Sequence, residues 1–208
     1  MMKFIRTMMI IALGAGSAQA AEWKVGASAG YTLGGDVEDN SFVPGAHATW
    51  VINETWSLEL GVFQFSDSGG ETEEGIMWLS DVDATPLAVS LLASRPLAAT
   101  MQGYLGAGAA YYLLDVSSSA RLTAQARAQG VDWKVDADNG YGLHIMAGVN
   151  RTLSEALSIF ADVRYAVMAY DYEGIWTEEF SGERISGRES DTEDYYYGMF
   201  RLGLSWWL

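Results

Sequence analysis

Two histidines, His47 and His144, are the only imidazoles in the chain, and neither has a cysteine to work with because the sequence contains none. A histidine does chemistry when it takes a proton from a nucleophile while an acid orients its other nitrogen. Five charged residues, Lys24, Glu59, Asp162, Arg164 and Arg201, lie inside otherwise apolar or small-residue stretches. Charges in such surroundings must be paired or hydrated, so they either close an interior or line a polar path. The absence of cysteine removes disulfide and thiolate chemistry.

The elements holding these residues are most legible at the end of the chain. From Tyr195 to Leu208 large apolar residues alternate with small or polar ones. Tyr196, Phe200, Leu202, Leu204, Trp206 and Leu208 share one face of a strand, and Arg201, Gly203 and Ser205 share the other. A terminal amphipathic strand is an aggregation hazard in an open sheet but pairs with the first strand in a closed barrel. The front of the chain fits a secreted protein. Lys3 and Arg6 precede a short apolar run, and Ala18-Gln19-Ala20 has the small-residue pattern of a cleavage site. Residues 1–20 are expected to be a cleaved secretory signal and 21–208 a single barrel domain. An apolar run of about ten residues is too short to span hydrocarbon as a helix.

Composition alone hides the class. Half of the residues are hydrophobic and the mean hydropathy is +0.05, as in soluble proteins. A barrel with a polar interior gives a weak hydropathy signal, so these values exclude only helical spans. The 23 Gly, 8 Trp and 11 Tyr against 3 Pro are more telling. Small residues let a narrow barrel fill without clashes, and Trp and Tyr favour the membrane boundary. The net charge of −15 becomes −17 once Lys3 and Arg6 leave with the signal, which repels nucleic acid.

Period-two alternation recurs in segments of about ten residues, the length of a tilted membrane strand. The segments begin with 22–34, 45–52, 56–62 and 82–92, the last weakened by Pro86. They continue with 100–114, 140–150, 157–170 and 195–208. The connections at 53–55, 93–98 and 152–156 are short, with Ser94-Arg95-Pro96 expected to turn. Those at 35–44, 66–81, 115–139 and 171–194 are long and polar. Long connections at one end only are the asymmetry of an outer-membrane barrel. The expected fold is therefore all-β: an eight-stranded antiparallel transmembrane β-barrel with long extracellular loops and short periplasmic turns, in the bacterial outer membrane.

Asp83-Ala-Thr-Pro-Leu-Ala-Val-Ser-Leu91, Gly103-Tyr-Leu-Gly-Ala-Gly-Ala-Ala-Tyr-Tyr112, Tyr141 to Leu153 and Phe160-Ala-Asp-Val-Arg-Tyr165 resemble the small outer-membrane barrels, and within them the OmpW-like family. The chain departs from that pattern in ending on Leu208 rather than an aromatic residue. The resemblance implies a monomeric barrel that takes up small hydrophobic compounds. Lipid A deacylases of the same membrane carry a serine two residues after their catalytic histidine. Met146 and Thr49 stand at those places here, so no enzyme activity, catalytic residue, cofactor or metal is expected, and His47 and His144 are read as lumen histidines.

All five charges have inward parity. Counted from the short turns, Lys24 and Glu59 lie low and Asp162, Arg164 and Arg201 about a layer higher. Asp162 and Arg201, on neighbouring strands, are the pair expected first. They read either as packing ion pairs closing the lumen or as a narrow polar path. The region Ser117–Gly130 fits a short helix or an irregular loop equally. The acidic stretch 171–194 reads as a solvated surface, or as a site where divalent cations bridge to lipopolysaccharide. It has no Asp-x-Asp-x-Asp-Gly run. The function classes open at this stage are passage of small hydrophobic molecules and a structural barrel whose loops contact lipopolysaccharide, cations or other cells.

Overall fold

The computed structural model describes residues 22–36, 41–73, 76–118, 123–124, 127–128, 130–180 and 183–208; the expected signal segment lies outside them. Ten strands follow in chain order: β1 (Glu22–Gly35), β2 (Phe42–Val51), β3 (Trp56–Phe63), β4 (Phe65–Glu73), β5 (Ile76–Ala98), β6 (Met101–Ser118), β7 (Val131–Ala137), β8 (Gly140–Thr152), β9 (Leu157–Phe180) and β10 (Glu183–Trp207). All pairings are antiparallel.

Ten strands make eight staves. β3 and β4 pair with β5 in one unbroken register, from Trp56 opposite Ala93 to Glu73 opposite Ile76. Their ladder lapses only around Phe63 and Gln64, opposite Pro86 and Thr85, where proline has no N–H to give. The Gln64 N–H faces the other side and continues the β2 ladder in register, donating to the Pro44 carbonyl 3.1 Å away. β7 and β8 likewise form one stave against β9, with a one-residue slip at Asp138 and Asn139. The ring closes where β1 meets β10, from Lys24 opposite Trp207 to Gly35 opposite Tyr197. The eight-stranded antiparallel barrel expected from the alternation is the observed fold.

Three expectations about connections change. β5 runs through Ser94-Arg95-Pro96 to Ala98, so the turn lies beyond it; Pro96 sits at a bulge, where its missing N–H costs no ladder bond. The segments 66–81 and 171–194 are largely paired strand, not open loop, because backbone ladders form without side-chain alternation. Within 115–139, strand gives way to helical turns at Thr123–Ala124 and Arg127–Ala128 and then to β7. Leu122, Ala126 and Gln129, which would form a weak apolar stripe if Ser117–Gly130 were one helix, lie outside the described residues.

The stagger explains the packing. Hydrogen-bonded partners traced round the barrel from Lys24 pass through Thr49, Glu59, Ser90, Gly108, His144, Ala166 and Tyr197, and return to β1 at Gly35. The row has climbed eleven positions, one absorbed by the irregularity at Gly34. Eight strands with such a stagger tilt by roughly 40° and leave a bore that side chains fill. Outward residues such as Leu105, Leu143 and Ile145 are 62–67% exposed to the bilayer, whereas Arg201 and Met168 are at 0–1%. Trp23 stacks on Trp50 near the short turns, and Tyr31–Phe42 and Tyr111–Tyr141 pair toward the other end, giving the two aromatic belts of a membrane barrel.

Candidate functional site in the barrel lumen

Inner-face glycines decide what the bore can hold. Gly26 lies beneath the His47 ring, Gly108 beneath His144, Gly148 beneath Tyr104 and Gly203 beneath Phe160; a Cβ at any of them would overlap the ring. Each large side chain thus reaches the barrel axis only because its neighbour across the ladder has none.

At mid-height these side chains hold a layer of four charges. Arg201 binds Asp162 through two parallel bonds, Nε to Oδ1 at 2.9 Å and Nη2 to Oδ2 at 2.8 Å. Glu59 Oε1 accepts from Arg164 Nη2 at 3.1 Å and from Arg201 Nη2 at 3.5 Å. Tyr104 donates its hydroxyl to Asp162 at 2.9 Å, and Arg164 also reaches the Met146 sulfur at 3.4 Å. The Phe63 ring lies 5.1 Å from the Arg164 guanidinium, and Phe160 lies 5.8 Å from that of Arg201. Two carboxylates and two guanidiniums balance formally, and all four side chains are buried.

The five expected charges do not all meet. Glu59 joins Asp162, Arg164 and Arg201 through side-chain reach: its backbone lies lower, as the count from the turns gives, and the two guanidiniums extend down to its carboxylate. Lys24 does stand lower. Its ammonium lies 4.0 Å from the centre of the Trp207 ring and makes no ion pair among the described residues. It lines a small polar cavity of about 50 Å³ with Thr49, Ser57, Gln102 and Asn150, below the charge layer.

Above the charges the lumen changes character. Val43, Phe65, Ala84, Tyr112, Met168, Tyr197 and Met199 pack into a continuous apolar cluster. The Tyr112 and Tyr197 hydroxyls meet at 3.0 Å, and Phe65 packs 4.9 Å from Tyr197. Higher still, Tyr195 donates to Asp67 and Tyr170 to Glu193. From the short-turn end outward, the bore is therefore polar, ionic, then apolar.

Both histidines are buried beside serines. His47 Nε2 lies 3.0 Å from Ser205 Oγ, and His144 Nε2 lies 2.8 Å from Ser90 Oγ. Neither ring has a carboxylate within hydrogen-bonding distance among the described residues, and His47 Nδ1 has no partner. A serine–histidine pair without an orienting acid lacks one member of a nucleophilic triad. These serines, Tyr104, Phe63 and Phe160 were not singled out from sequence. Their signal was available as inward parity opposite glycine: Tyr104 faces Gly148, and Phe160 faces Gly203.

A closed barrel with a bilayer-facing apolar surface, two aromatic belts and short turns at one end defines an integral outer-membrane β-barrel protein. The OmpW family model matches residues 4–173, and the chain belongs to the OmpW family. Among solved structures, a major outer membrane protein from Thermus thermophilus is similar at a TM-score of 0.61 and 15% identity, covering 91% of this chain and 100% of that one. The outer membrane protein AlkL in lipid bilayers is similar at 0.54 and 17%, with 93% and 94% covered. Neisserial surface protein A is similar at 0.54 and 12%, with 92% and 99% covered. At these identities the likeness carries the fold. No curated protein matches the sequence. The protein is located in the bacterial outer membrane.

Proposed function

We propose that the barrel admits small hydrophobic molecules at its outer mouth and releases them sideways into the membrane rather than into the periplasm. The observation that carries this reading is the order of the layers. The apolar compartment lies on the outer side, and the ion-paired layer beneath it would have to be desolvated by an apolar solute passing straight through. The ladder interruption opposite Pro86 lies at the level of Phe63 and Phe65, beside the apolar compartment. A wall that lacks cross-strand hydrogen bonds there can part at lower cost than elsewhere. The histidine–serine pairs act as packing groups, and the chain works as a monomer without cofactor.

A disulfide across the interruption tests the route. Gln64 and Thr85 stand opposite each other on the outward face, and the chain has no cysteine of its own. Cells producing the Q64C/T85C variant are exposed to the hydrophobic fluorophore N-phenyl-1-naphthylamine. Uptake above the vector control in the reduced state, lost on oxidation and restored by reductant, is the expected result. Equal uptake in both states sinks the lateral route; uptake no faster than the vector control in every variant sinks the passage reading. A second reading, a barrel whose outer surface contacts other molecules, is supported by the β9–β10 hairpin, which stays paired as far as Glu183 opposite Phe180.

A further inference from the structure

On the lipid-facing wall near the short turns, β5, β6 and β8 line an open, shallow groove of about 470 Å³. Small outward residues make it: Ala93 on β5, Gly103 on β6 and Ala147 on β8, bounded by Leu97, Leu105 and Val149. Arg95 lines the groove directly opposite Gly103, and Arg151 follows two residues after Val149 on the same outward face. Both arginines are exposed, and neither has a carboxylate partner among the described residues.

Their height gives the groove its meaning. Trp56, Ala93, Leu105 and Ala147 occupy one hydrogen-bonded row. In a barrel tilted by about 40° such a row climbs about 3 Å per strand, while each residue along a strand changes height by about 2.5 Å. Arg95 lies two residues below Ala93, and Arg151 four below Ala147. Both guanidiniums therefore start within about 2 Å of the level of Trp56, which marks the membrane–water boundary. The apolar part of the groove rises from that level into the hydrocarbon.

We propose that this groove holds one glycerophospholipid of the periplasmic leaflet, with its phosphate between Arg95 and Arg151 and one acyl chain against Ala93, Ala147 and the Leu97 side chain that covers Gly103. Charge complementarity selects the occupant: two unpaired guanidiniums at headgroup depth match a phosphodiester, and guanidinium forks bind phosphate bidentately. On a chain of net charge −15 they are the outward-facing cations at this end. Attachment to a single leaflet also distinguishes the site from one for lipopolysaccharide, whose phosphates lie at the opposite surface. The inference is independent of what passes through the lumen.

Native mass spectrometry of the refolded full-length barrel in detergent, titrated with dioleoyl phosphatidylglycerol, provides the test. One adduct is expected at low lipid concentration. The R95Q/R151Q variant should weaken it roughly tenfold, as loss of one or two charge-assisted hydrogen bonds would. Ala93→Leu, which fills the groove and keeps both charges, should weaken it as well. Inorganic phosphate at millimolar concentration should not displace the lipid, because it lacks the acyl chain. The migration shift of unheated samples on a denaturing gel reports that each variant is folded. An unchanged adduct in folded R95Q/R151Q overturns the headgroup assignment, an unchanged adduct in A93L overturns the acyl assignment, and displacement by phosphate reduces the site to an anion site.

Discussion

Replacing Glu59 by glutamine probes the charge layer most directly. Among the described residues Glu59 is the sole carboxylate bound to Arg164, at 3.1 Å, and Arg164 Nε and Nη1 have no partner there. The Arg164 side chain is 1% exposed, so bulk water does not reach it. Removing one partner of a buried ion pair typically costs about 3–5 kcal/mol, because the other charge stays buried. The glutamine carbonyl can still accept one bond, which places E59Q toward the lower half of that range. With a urea slope of about 2 kcal/mol per molar, the midpoint should fall by roughly 1.5–2 M. Removing both partners in E59Q/R164M relieves the stranded charge and should recover most of the loss. Unfolding of the barrel in phosphatidylcholine vesicles, followed by tryptophan fluorescence, measures all four corners of the cycle. A midpoint for E59Q within about 0.5 M of wild type, corresponding to about 1 kcal/mol, or a double variant no more stable than E59Q, would refute the account of a sealed, mutually dependent layer.

Other outcomes follow from the same geometry. Among the described residues Arg201 is the largest fully buried side chain, and R201A should produce conductance steps in planar bilayers that the wild-type protein should lack. Gly26→Ala should cost at least about 2 kcal/mol by overpacking, since its Cβ would strike the Leu204 carbonyl and the His47 ring. Gly61→Ala should be nearly neutral, with nothing closer than 3.8 Å; thermal melts of the gel-shift species compare them. Wild type, H47A and H144A should all leave lipid A unhydrolysed, by mass spectrometry of the extracted lipid. Lys24→Ala should cost about 1–2 kcal/mol, the worth of a half-buried cation over an indole ring, and should leave the conductance unchanged.

The barrel was legible because one period governs every membrane stave, and lipid on one side with packed lumen on the other enforces it without exception over residues such as Leu202, Leu204 and Trp206. Inward parity likewise placed all seven site residues inside. Backbone height was legible, but side-chain reach was not: Glu59 reads low from its turn and lies low, yet it meets Arg164 and Arg201 because their long side chains extend down the bore to it. The outer hairpins escaped for a different reason. Beyond the membrane both faces meet water, so Asp171, Glu173 and Thr177 sit on a strand with no alternation to betray it. Pro86 and Pro96 show the same limit. A proline marks a broken ladder bond, but only the paired register tells whether the chain turns, bulges or merely skips a bond.

The sorting of charge favours neutral cargo over ions. The chain carries 27 acidic against 12 basic residues, yet the mid-lumen layer balances two against two. The acidic excess is therefore outside the bore, with much of it between Asp171 and Asp194 at the outer surface. An anion approaching the mouth meets that field first, and it is repelled over about one Debye length. A cation is attracted to the surface, but below Asp67 and Glu193, which already accept from Tyr195 and Tyr170, it enters an apolar compartment. A small uncharged molecule pays neither cost, and the side chains it meets below that level, Phe65, Tyr112, Met168, Tyr197 and Met199, include the flexible thioethers that repack most readily around a varied apolar guest.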